Sequence, residues 1–152
     1  MTLVTPHLFL YKDRYYELVR PSTLFTPRKV GLFVRPGATS NPGGCLATFA
    51  IENGMLMLWS LLCTIDKPKG ILNALKYLLR SYPPKIGDAE PEKSDQVFDV
   101  FYDRPYFALH YTGEIVIGIR PVPDAVTDFD PNEFTTLIKL SFDQGRFVKE
   151  IS

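Results

Sequence analysis

Gly44–Thr64, GCLATFAIENGMLMLWSLLCT, decides the fold. Asn53-Gly54 at its centre is a hairpin signal, because a two-residue type I′ turn needs φ > 0 at both central positions and these residues tolerate it. The apolar runs on either side are long enough for central strands. An unbroken ladder from Glu52 opposite Met55 sets Ile51 against Leu56, Phe49 against Leu58, Ala47 against Ser60 and Cys45 against Leu62 on one face. The other face then carries Ala50 with Met57, Thr48 with Trp59, and Leu46 with Leu61. Both faces are apolar, so something is expected to cover Trp59, Met57 and Leu61. In this register Cys45 and Cys63 are offset by one position and point to opposite faces, which argues against a disulfide and reads them as small buried hydrophobes.

Working outward, LFLYKDRYYELV (8–19) reads as a hairpin turning at Lys12-Asp13, and a short strand is expected over Val30–Val34. Residues 68–82 carry the chain's one helical pattern, with Ile71, Leu72, Leu75, Leu78, Leu79 and Tyr82 on a stripe. Pro68 suits its start and Pro83-Pro84 its end. That helix is the expected cover for a largely buried Trp59. YFALHYTGEIVIGIR (106–120) reads as a further hairpin turning at Thr112-Gly113. TTLIKLSFDQGRFVKEIS (135–152) reads as the last, turning at Gln144-Gly145. Its register pairs Phe142 with Phe147, Asp143 with Arg146 and Lys139 with Glu150. The expected fold is mainly β: antiparallel hairpins forming a sandwich or partly open barrel, with one helix packed on it, in a single domain over 1–152.

Composition bounds the function. Lys plus Arg and Asp plus Glu are each 17, a balance that argues against nucleic acid or an anionic membrane as main partner. No apolar run approaches the ~18–20 residues of a membrane span. The N-terminus has no basic region ahead of its apolar residues, so no signal peptide is read and a cytoplasmic location is expected.

Two stretches resemble the core of a group of small uncharacterised bacterial β-rich proteins. That core reads roughly Gly-Tyr-Ile-Ala-Thr-Trp-Glu-Ile, a charged-Gly turn, then Leu-Tyr-Leu. Gly44, Ala47, Thr48, Ile51, Gly54, Leu56 and Leu58 match it, and Phe49 stands where Trp is usual. FALHYTGEIVI (107–117) is similar to a second segment, with His110 in place of a Trp. The likeness covers about half of the chain and departs from the group at 66–96 and 121–134. It implies a hairpin-rich domain and carries no activity with it.

No catalytic or metal constellation emerges. The two histidines, His7 and His110, have no nucleophile context such as G-x-S-x-G. The cysteines lack C-x-x-C spacing. DFDPNE (128–133) lacks the Gly and the bidentate Glu of a calcium loop. Scattered acids from Asp88 to Asp103 read as a solubilising patch or a dock for a basic partner. No catalytic residue, metal site or cofactor is therefore expected. Three functions stay open. The first is a non-catalytic protein-binding module, for instance an immunity or antitoxin-like protein that masks a toxin. The second is a ligand-binding or enzymatic barrel with a pocket near His110. The third is a self-associating subunit using the Trp59 face. Candidate ligand or partner residues are Trp59, Asp103, Tyr106, His110 and Tyr111.

Overall fold

The computed structural model describes residues 6–35, 44–65, 83–94, 98–119 and 136–151. Nine strands run through them: β1 (Leu8–Tyr11), β2 (Arg14–Arg20), β3 (Cys45–Glu52), β4 (Met55–Cys63), β5 (Glu92–Lys93), β6 (Val100–Ala108), β7 (Gly113–Ile119), β8 (Thr136–Asp143) and β9 (Arg146–Ile151). Seven of them close into a barrel in the order β3-β1-β2-β7-β8-β9-β4, with β4 returning to β3, while β6 and then β5 extend from β4 as a flap. The barrel is therefore closed, where a sandwich or partly open barrel was expected.

The tight turns form where the sequence places them. Lys12 and Asp13 take φ 50° and 63°, Asn53 and Gly54 take 52° and 77°, and Gln144 and Gly145 take 52° and 85°. Each closes a hairpin: β1–β2, β3–β4 and β8–β9. One pairing is not a hairpin product. β1 lies parallel to β3, with Phe9 beside Phe49, which lets the N-terminal strand complete the ring.

Closure at the other side is brief. Met55 of β4 pairs with Arg146 of β9. Beside it, Leu56 N–H donates to Gly145 O at 2.7 Å and Phe147 N–H donates to Gly54 O at 2.8 Å. From Met57 onward the same edge of β4 turns to β6 instead. Strand β4 thus belongs to both the barrel and the flap.

Inward positions alternate as a barrel requires. Phe9, Phe49, Leu56, Leu58, Ile115, Ile117 and Leu140 are at most 1% exposed. Burying each such side chain contributes about 1.5–3 kcal/mol. On β4 the alternation changes phase: Leu56 and Leu58 are buried, and so are Leu61 and Cys63. A bulge at Trp59 produces the change. Phe49 faces Leu58, but the next residue, Thr48, faces Ser60, leaving Trp59 without an opposite residue on β3. Much of the apparent two-sided apolarity of this hairpin is one inner face read across a phase change. The bulge also shifts the ladder by one residue, so Cys45 faces Cys63 and the two form a disulfide with α-carbons 4.3 Å apart. The expected offset between them is thereby corrected.

Other expectations change as well. Residues 106–120 are not a hairpin: β6 pairs with β4 and β5, whereas β7 lies between β2 and β8. Val30–Val34 is not a strand. Pro27–Val30 forms a 3-10 turn, and Val34 makes a single bridge to Ile65. In the last hairpin Phe142–Phe147 and Asp143–Arg146 pair as expected, but a register shift beyond them sets Glu150 opposite Leu140 rather than Lys139. The expected helix, 68–82, lies outside the described residues. Among the described residues the 3-10 turn is the one helical segment.

Candidate functional site

The second irregularity of the sheet lies beside the first. Between the pairs Leu58–Phe107 and Ser60–Asp103, the single residue Trp59 of β4 confronts Arg104, Pro105 and Tyr106 of β6. A proline inside a strand cannot donate to the ladder and favours such a break. Arg104 and Tyr106 adopt φ 47° and 54°, a left-handed conformation that is rare for bulky residues and costs of order 1–3 kcal/mol each.

The surrounding structure imposes this kink. Pro105 is fully buried, and its carbonyl accepts from Asp88 N–H at 2.6 Å. Gly87, at φ 53°, lies so close to that carbonyl that a Cβ would collide with it. Ile86 and Ala89 bridge each other to shape the loop. One turn of strand earlier, the fully buried Tyr102 donates its hydroxyl to Pro84 O at 2.8 Å.

The result is a rigid outward presentation. The Arg104 guanidinium lies 4.9 Å from the Trp59 ring centroid, a cation–π stack. Trp59 is half-buried, less than expected, and Tyr106 is 49% exposed. Asp103 is exposed across from Ser60. Three of the five candidates, Trp59, Asp103 and Tyr106, thus fall on one stretch of the β4–β6 ladder. Arg104 was missed by the sequence reading. The signal that could have found it is Arg104-Pro105 inside an aromatic strand.

His110 and Tyr111 lie elsewhere. The segment after β6 crosses from β4 to the β8–β9 turn: Leu109 N–H donates to Leu56 O at 3.0 Å, and Tyr111 O accepts from Gly145 N–H at 2.9 Å. Tyr111 OH donates to Glu114 O at 3.0 Å, and His110 is exposed. Both residues line a cleft of about 320 Å³ with Leu24, Phe25, Lys29 and Phe107. Trp59, Asp103 and Tyr106 do not line it.

Three other titratable groups, His7, Tyr11 and Glu150, are engaged in side-chain hydrogen bonds. His7 Nδ1 accepts from Ala47 N–H at 3.0 Å, and burial lowers its pKa, so the ring is held neutral. Tyr11 OH donates to Glu150 Oε2 at 2.7 Å, with Lys12 Nζ 3.5 Å from the same oxygen. Burial first, and then Glu150, push the Tyr11 pKa up to about 12. The Tyr11 hydrogen bond and Lys12 hold the Glu150 carboxyl below its usual range. Among the described residues no group of three or more His, Cys, Asp or Glu is placed to hold a metal ion, and no helix is long and apolar enough to cross a membrane. No protein-family model, curated protein or solved structure matches the chain.

Proposed function

We propose that this chain is a non-catalytic protein-binding module, and that the Trp59–Arg104–Tyr106 stretch is its contact surface. One observation carries the reading: two bulky residues are held at strained positive φ by a buried scaffold, and they flank the point where Trp59 leaves the ladder. Backbone strain of this kind concentrates at binding sites. Trp, Tyr and Arg are the residue types that dominate protein–protein hot spots. Their backbone is already fixed, which reduces the ordering cost of association. An immunity or antitoxin-like role is the concrete form proposed for such a module. The Cys45–Cys63 bond is typical of oxidising compartments and counts against the cytoplasmic placement expected from the sequence.

The test is affinity purification from the source cells with quantitative mass spectrometry. Wild type is compared with Arg104→Glu and Tyr106→Ser, two exposed changes. A stoichiometric protein partner that is lost with both variants, while both stay folded with melting temperatures lowered by no more than about 2–4 °C, is the expected result. Failure to recover any stoichiometric partner, or a partner indifferent to both substitutions, overturns the proposal.

A further inference from the structure

The cleft at His110 is separate from the Trp59 stretch and has its own chemistry. Its floor is apolar: Phe25 and Leu109 are both buried, and the Phe25 and Phe107 rings meet edge to face at 5.8 Å. Its rim carries Lys29 and His110, both exposed, and no Asp or Glu is among its described lining residues. Its walls are tied down on both sides. Lys29 N–H donates to Thr26 O at 3.1 Å within the 3-10 turn, and the opposite wall is bonded to Leu56 and Gly145. A volume of about 320 Å³ lies at the small end of ligand pockets.

An aromatic-lined floor beneath a rim whose described residues include a cation and no carboxylate suits an apolar body bearing one negative charge. The volume admits a one- or two-ring molecule. From this charge complementarity we infer that the cleft binds a small aromatic carboxylate. Its ring packs against Phe25 and Phe107, and its carboxylate points to Lys29.

The experiment is an amide NMR titration of the full chain with 2-naphthoate, with the neutral 2-naphthylmethanol as control. Expected are saturable shifts at Phe25, Lys29 and Phe107–Tyr111. The neutral alcohol, and naphthoate with Lys29→Met, are each expected to bind roughly fivefold more weakly. Lys29 is exposed, so its replacement leaves the fold intact. Shifts that fail to saturate or scatter over the barrel overturn the site. Equal affinities for acid and alcohol, or an unchanged affinity in Lys29→Met, overturn the assignment of an anion.

Discussion

Cys63 stands directly opposite Cys45, their α-carbons 4.3 Å apart, because Trp59 is one residue more than the β3–β4 ladder can pair. The disulfide closes a loop spanning 18 positions at the end of the hairpin where no turn holds the strands. On the chain-entropy account such a cross-link is worth about 3 kcal/mol. Replacing both cysteines by Ala is expected to lower the unfolding free energy by about that amount in urea titrations. Alkylation of the native protein should label neither cysteine until it is both unfolded and reduced.

The same bulge sets the effect of changes at Trp59. A fully buried tryptophan costs about 3–5 kcal/mol when truncated to Ala. Trp59 is half-buried and its best-defined partner is Arg104. Trp59→Ala should therefore cost only about 1–2 kcal/mol, the share due to partial burial and an exposed cation–π stack. Deleting Trp59 outright is expected to leave a regular ladder in which Thr48 still faces Ser60 and the disulfide still forms. Mass spectrometry of the deletion variant reads this directly.

These features mark where the sequence was legible and where it was not. Turns at Lys12-Asp13, Asn53-Gly54 and Gln144-Gly145 are local chemistry, written in residues that accept positive φ. The inner face of β3 and the first half of β4 follow from alternation. The bulge was hidden because Trp59 is as apolar as its neighbours, so a strand that changes phase looks like a strand apolar on both faces. The false hairpin at 106–120 has a different cause. Its alternation and glycine are compatible with a turn, but β6 is drawn to β4, and Leu109 bonds Leu56, more than fifty residues away. Pairing at that distance leaves no local pattern. Of the candidate site, Trp59 and Tyr106 were visible as aromatic residues, while the kink that groups them depends on Gly87 and Asp88 meeting Pro105.

His7 makes stability depend on pH. Its Nδ1 must be unprotonated to accept from Ala47 N–H, and burial lowers its pKa below that of the unfolded chain. The unfolded state therefore takes up the proton first as pH falls. The stability His7 supplies is fully present above pH ~6.5 and declines as pH falls through the unfolded value toward the lower folded one. A melting-temperature profile should show this decline in wild type and lose that component in His7→Gln. At neutral pH, His7→Ala should cost about 1–3 kcal/mol, because Ala47 N–H loses its acceptor.

Tyr11 works in the opposite direction. Its folded pKa is raised to about 12, so it favours the native state below the unfolded value near 10 and loses that contribution as pH rises toward 12. In an ultraviolet titration, Tyr11 should ionise well above the ordinary range. That late step should vanish in Tyr11→Phe and move to lower pH in Glu150→Gln, which removes the negative charge beside the phenol. A Glu150→Gln titration identical to wild type would rule out Glu150 as a contributor.

The most direct measurement of the bulged register is the set of Hα–Hα nuclear Overhauser effects across β3 and β4. Cys45 and Cys63 form a close, non-hydrogen-bonded pair, and two residues further on Ala47 and Leu61 form the next. Strong Hα–Hα cross-peaks are predicted for Cys45–Cys63 and for Ala47–Leu61, with Trp59 giving none to β3. Cross-peaks joining Ala47 to Ser60 and Cys45 to Leu62, together with two free thiols, would contradict the bulge and the fold built on it.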